Sequence, residues 1–348
     1  MIKRVLGLGL LALAGLAFFP LFATARADAQ TETILHSFGS QPGDGAFPHG
    51  GLLYNKGNLY GTTIANAPSG TLGNVFEITA KGQYTILYNF GSQPGDGTAP
   101  SDFGGLAFRG GKLYGTALSG GATGGWGTVF DLTLKGKEKG LHTFGGQPDD
   151  GEYPFASVIF DKAGNLYGTT EEGGAYNSSC LYGCGTVYEL TSTGEEKVLY
   201  SFQGQSQDGV FPQANLILDK AGNLYGATST GGLHGHGTVF ELSSTGVEKI
   251  LYSFGGQPSD GIEPLSSVVF DKKGNLYGST FGGGLYGQGT VFELSPTGEE
   301  KVLYTFGSQV GDGATPLGGL VLDASGNLYG VTAYGGAYGF GTVFEITP

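Results

Sequence analysis

The chain has 348 residues, 69 of them glycine, and a formal net charge of −13 at pH 7. A surface that acidic argues against nucleic acid or anionic lipid as a partner and is compatible with cations, neutral sugars or a basic protein. No apolar run beyond the first two dozen residues is long enough to span a bilayer.

The N-terminus reads as a secretory signal peptide over residues 1–29. A short basic start (Lys3, Arg4) precedes an apolar stretch, 5–23, and two A-x-A cleavage patterns centre on Arg26 and Asp28. An uncleaved anchor is the rival reading, but Pro20 interrupts a continuous helix. No cysteine lies near the cleavage patterns to carry a lipid. The expected location is secreted, periplasmic or on the cell surface, with no membrane contact after cleavage. Removing Lys3, Arg4 and Arg26 makes the remaining chain more acidic still.

From residue 30 to 348 one unit recurs six times. Asn-Leu-Tyr-Gly, or Lys-Leu-Tyr-Gly at Lys112, begins at Asn58, Lys112, Asn165, Asn223, Asn275 and Asn327, at spacings of 52 to 58 residues. A period near 50 residues denotes a repeat architecture. In the third copy, residues 157–161, 165–170, 185–190 and 196–202 read as short strands rich in Val, Phe, Tyr and Thr, separated by tight polar turns. Four antiparallel strands per unit, six times over, predict an all-β fold, a six-bladed β-propeller, as a single domain expected to be a monomer. A β-solenoid is the alternative, but it does not require two hairpin turns per unit.

Residues 31–38 match the fourth strand of a unit, and 341–346 match the third. The N-terminal strand is therefore expected to complete the last blade and close the ring. The second-to-third loop and the connection between blades are long. Both should lie on one face, the natural place for binding residues.

The unit G-T-V-F-E-L…G-x-E-x-V-L-Y-S-F-G-x-Q-P-x-D-G…D-x-x-G-N-L-Y-G-T-T-x-x-G-G resembles the GloVer tandem repeat of secreted bacterial surface proteins, over essentially the whole chain after residue 30. The resemblance implies secretion or surface display and brings no established activity with it. Blade 1 departs from the pattern at 64–70. The D-x-x-G-N-L-Y element is also similar to that of other extracellular six-bladed propellers, both NHL-type binding modules and lactonase-like or lyase-like enzymes. One fold hosts many functions, so that likeness is an analogy.

Several positions carry chemistry. Asp44, Asp96, Asp150, Asp208, Asp260 and Asp312 occupy one repeat position, each before a glycine. They read either as Ca²⁺ ligands or as side chains satisfying amides in glycine-rich turns, and the turn reading is preferred because each loop offers one carboxylate. No cofactor is required, and Ca²⁺ is the one the pattern admits. An acid in every third strand (Glu77, Asp131, Glu189, Glu241, Glu293, Glu345) is expected to pair with a neighbouring blade or with backbone.

Cys180 and Cys184 share the one loop with an insertion and read as a local disulfide. His234 and His236 lack a third metal ligand. His36 and His142 replace the fourth-strand Tyr and read as packing residues. No nucleophile motif is present.

Where the copies differ, the side chains point to recognition. Leu72, Trp126, Cys184, His236, Gln288 and Phe340 precede the third strand, and Tyr182, His234, Tyr286 and Tyr338 stand two residues earlier. Aromatic rims of this kind suit stacking on sugars or capping apolar protein groups. The leading reading is a binding module for an extracellular glycan or protein, acting through Trp126, Tyr182, His234, His236, Tyr286, Tyr338 and Phe340, without catalysis. The alternatives are a metal-dependent hydrolase or lyase at the channel mouth, for which His49, Asp102, Glu152 and Glu263 are the irregular acids and bases, and a structural surface or adhesion component.

Overall fold

A computed structural model describes residues 34–347 apart from 40–42, 49, 67–71, 102–103, 123–124, 177–178 and 205–206. The expected signal peptide, His49 and Asp102 lie outside the described residues. The chain divides into units Met1–Leu35 and His36–Pro348. Of the first, Ile34 and Leu35 are described, and both are exposed. No helix occurs among the described residues, so none is long and apolar enough to cross a membrane.

The second unit is a six-bladed β-propeller. Blade 3 shows the plan: Ile159–Phe160 pairs Leu166–Thr170, which pairs Thr186–Leu190, which pairs Glu196–Ser201, every pairing antiparallel. Blades 1, 4 and 5 repeat this four-stranded order, and blade 2 contains it within a five-stranded sheet to which Gly97–Pro100 is added. First strands sit on the inside of the ring, where successive copies approach closely. A Cβ on Gly104 would stand 2.5 Å from the backbone N of Ser157 in the next blade, so only glycine fits there.

The recurring motif can now be read atom by atom. In Asn275-Leu-Tyr-Gly278 the leucine is buried. The Asn275 amide donates to Asp271 at 3.1 Å and to Glu293 at 2.9 Å, and the Tyr277 hydroxyl donates to the same two acids at 3.3 and 3.2 Å. The third-strand acid thus pairs within its own blade, with side chains of the second strand, and not with a neighbouring blade as expected. Facing residues on paired strands are simply closer than the adjacent sheet. Blade 2 changes both partners together: Lys112 replaces Asn, Asp131 replaces Glu, and the two form an ion pair at 3.0 Å. The motif glycine makes room for an aromatic ring. At Gly226 a Cβ would lie 2.7 Å from Cζ of Phe240.

Apolar cores lie between blades. Phe202, ending the fourth strand of blade 3, packs on Phe240 of blade 4 at 5.3 Å between centroids, and Phe254 packs on Phe292 of blade 5 at 5.1 Å. Five such clusters join blades 1 to 6 in succession.

The fourth strand expected to close the sixth blade is not found among the described residues. That blade has Val321–Leu322, Leu328–Gly335 and Thr342–Ile346, and among the described residues nothing pairs with the outer side of Thr342–Ile346. Val343 is 82% exposed there. Residues 34–37 form no strand, and 31–33 lie outside the described residues. The aromatic half of the predicted role is in place: Phe38 meets Phe76 of blade 1 at 5.3 Å, as each fourth-strand Phe meets the following blade. His36 stacks on Tyr84 at 3.6 Å. Deleting residues 30–40 is expected to lower the melting temperature, and Phe38→Ala alone to cost about 2 kcal/mol, less than a fully buried Phe. An unchanged melting curve for the deletion would show that this segment contributes nothing to the ring.

Candidate functional site

Backbone hydrogen bonds tie the two long connections of each blade together. Gly151–Glu152, entering blade 3, pairs antiparallel with Glu172–Gly173, which begins its second-to-third loop. Blades 1, 4 and 5 have the same small ladder. Both loops therefore lie at one end of the blade, and the short turns at the other.

The aspartates hold these connections in shape. Asp208 accepts from the Tyr200 hydroxyl at 3.2 Å and from the amides of Gln203 and Gly209 at 2.6 and 2.7 Å. Asp260 accepts from Tyr252 and from the amides of Gly255 and Gly256. Asp96 and Asp312 accept from Tyr88 and Tyr304, and from the amides of Ser92 and Ser308. Asp44 and Asp150 face a histidine ring, His36 and His142, and each takes the amide of the glycine that follows. The six carboxylates are thus distributed one per connection.

The variable residue before each third strand has a packing partner. Trp126 lies on Gly145, His236 on Gly255, Gln288 on Gly307, Leu72 on Gly91 and the Cys184 sulfur on Gly204. Four of these glycines directly follow the fourth-strand Phe, Gly204 stands one residue farther on, and all five have a positive φ. Cys180 and Cys184 are joined by a disulfide. Phe340 has no such cover among the described residues and is 91% exposed, while Tyr338 is 89% exposed. Tyr286, His234 and His236 are also exposed.

Two of the seven aromatic and imidazole candidates are brought to one concavity. Trp126 of blade 2 and Tyr182 of blade 3 line a cavity of about 490 Å³ together with Tyr153, Phe155, Glu171 and Glu172. Backbone bonds fix its walls: the Tyr153 amide donates to the Trp126 carbonyl at 2.9 Å, and the Glu171 amide donates to the Tyr153 carbonyl at 2.9 Å. The Ser101 hydroxyl, from blade 2, donates to the Phe155 carbonyl. The Trp126 and Tyr153 rings meet edge to face, 5.5 Å between centroids.

The acids of this site are electrostatically crowded. Burial, then Glu172, holds the Glu171 carboxyl above the usual range, although a bond from Gln213 at 2.5 Å opposes this. Burial also raises Glu172, and burial followed by Glu172 and Asp150 raises Glu152. Polar ring faces flanked by such carboxyls suit a ligand rich in hydroxyl donors.

Tyr153 and Phe155 were missed by the sequence reading, although the repeat marks the first of them. The residue before the proline of each connection is Phe47, Ala99, Tyr153, Phe211, Glu263 or Thr315, and all six have left-handed backbones, φ 52–59°. Comparing copies at that position identifies a second variable point on the scaffold. Another concavity, about 430 Å³, lies at the short-turn end beside Arg109, Lys112 and Asp131. Three of its charged groups are already engaged: Arg109 donates to the carbonyls of Asp161 and Lys162, and Lys112 pairs with Asp131.

The fold and site define a β-propeller carrying an aromatic, acid-flanked pocket on its long-loop face. The sequence profile of the Gloeobacter/Verrucomicrobia repeat matches residues 21–184 and 177–348, and the chain belongs to that family. No curated protein matches it in sequence. Among solved structures it is similar to a luciferin-regenerating enzyme (TM-score 0.52, 15% identity, covering 88% of this chain and 92% of that one). It is also similar to a puromycin hydrolase (TM-score 0.51, 13% identity, covering 88% of this chain and 46% of that one). At these identities the likeness is one of fold.

Proposed function

We propose that the protein is a secreted binding module that takes a neutral or weakly basic glycan on the Trp126–Tyr182 pocket. The observation that carries this reading is the convergence of Trp126, Tyr153, Phe155 and Tyr182, from two blades, on one concavity beside Glu171 and Glu172. Aromatic faces stack on sugar C–H surfaces, and carboxyls accept hydroxyl hydrogen bonds. The acidic surface favours neutral over acidic saccharides. The basic start, apolar run and small-residue cleavage patterns support export, as does the repeat family.

A glycan array followed by calorimetry tests the proposal. Trp126→Ala is expected to weaken the best array ligand by tenfold or more, about 1.4 kcal/mol. Phe340→Ala, at an exposed ring outside the pocket, should leave affinity unchanged. Equal affinity for wild type and Trp126→Ala, or no array ligand at all, would count against the reading.

A further inference from the structure

We propose that His142, Asp150 and Glu196 form a site for one divalent transition metal, of the zinc type, at the junction of blades 2 and 3. His142 lies on the fourth strand of blade 2, Glu138–Thr143, and Asp150 ends the connection into blade 3. Glu196 opens the fourth strand of blade 3, Glu196–Ser201. One ligand atom from each lies within 4.8 Å of the others. A zinc ion holds imidazole nitrogen and carboxylate oxygen at about 2.0–2.2 Å, so a small contraction completes the set.

Two independent observations favour a ligand here. Oε1 of Glu196 is buried and has no hydrogen-bond partner among the described residues; Glu248 and Glu300 share this, but no imidazole stands beside them. A buried carboxylate oxygen left unpaired is costly unless something fills its place. Asp150 is itself only 5% exposed, and its contact with the His142 Nε2 is long, 3.4 Å. The glycine amides that anchor Asp150 leave a lone pair on each of its oxygens.

The second observation is the internal comparison. Three other junctions keep the same aspartate and glutamate, as Asp96 with Glu138, Asp208 with Glu248 and Asp260 with Glu300. In each of those the histidine position is tyrosine, which donates its hydroxyl to the aspartate at 2.7 to 3.2 Å. At blade 1 the histidine and aspartate are present as His36 and Asp44, but Tyr84 stands where glutamate would. Among the described residues, His, Asp and Glu coincide at a single junction. Nitrogen with two carboxylates suits zinc and its neighbours rather than calcium or magnesium.

The test is titration of the whole folded protein with Zn²⁺, and with Co²⁺ for its visible spectrum. Because His142→Tyr restores the residue found at four other copies, it is expected to fold normally and to lose binding at least tenfold. Glu196→Gln should do the same. The chain has one tryptophan, Trp126, in edge contact with Tyr153, three residues beyond Asp150. Its fluorescence should respond to metal in the wild type and not in His142→Tyr. One equivalent of Zn²⁺ that disappears in both variants supports the site. No binding by the wild type, equal binding by His142→Tyr, or loss only in His234→Ala would overturn it.

Discussion

Phe254→Ala is expected to lower the free energy of unfolding by about 4 kcal/mol, within the range for a fully buried aromatic. Phe254 is 0% exposed. Its ring lies against Tyr252 and Phe292 at centroid distances of 5.0 and 5.1 Å, in a cluster with Val239, Val268, Leu276 and Leu294. That cluster spans blades 4 and 5, so the cavity opens at the joint between repeats and not within one. Stability of a repeat array is largely carried by such nearest-neighbour contacts. For a chain of this size the loss corresponds to a fall in melting temperature of roughly 6 °C. Denaturant unfolding with an unchanged slope and a loss below about 1 kcal/mol would mean that the joint repacks around the missing ring.

The second large effect is a loss of stability between pH 5 and pH 8. The first residue of the fourth strand is Glu138, Glu248 or Glu300 in blades 2, 4 and 5, and each is pushed up to about 7. Burial is the larger cause, and the charge of Asp96, Asp208 or Asp260 adds to it. Oε1 of Glu248 and of Glu300 and Oδ1 of Asp260 are buried acceptors with no donor among the described residues, a lack that a carboxyl proton would make good.

The sign follows from linkage. An unfolded glutamate titrates near pH ~4.3, so across the interval up to about 7 the native state holds protons that the unfolded chain has released. Their stabilisation is fully present below the unfolded value and is lost as pH rises through the native one. These groups are only about half shielded, so each contributes on the order of 1 kcal/mol after allowance for solvent. Together they predict a melting temperature roughly 4 °C lower at pH 8 than at pH 5. Asp219 and Asp271, whose carboxyls are held below the usual range, act in the opposite sense and only in more acidic solution. The triple variant Glu138→Gln, Glu248→Gln, Glu300→Gln should flatten the profile. A wild-type melting temperature that stays level or rises over this interval would refute the account.

Much of the scaffold was legible because it is repeated. Six copies of Asn-Leu-Tyr-Gly disclosed the blade count, and apolar runs between polar turns disclosed the strands. The aspartate's place in a glycine-rich turn was readable from composition, since one carboxylate among glycines has backbone amides at hand. The partners of the third-strand acid were not, because opposition across a ladder depends on register. His142 shows the same limit. In the chain it is a substitution for tyrosine eight residues before Asp150, while Glu196 is 54 residues farther on than His142 and reaches them only when blade 3 packs on blade 2.

The pocket divides in the same way. Sequence comparison of the copies singled out Trp126 and Tyr182 as points of difference, but it placed Tyr286, Tyr338 and Phe340 on equal footing with them. Only packing separates these residues, because Tyr153 is clamped by backbone bonds between Trp126 and Glu171, whereas Tyr338 and Phe340 are almost fully exposed. By itself the sequence determined the repeat, its strands and its turns, since those are local patterns renewed every fifty-odd residues. The tertiary structure decided which differences converge, because convergence depends on contacts between blades that no single repeat contains.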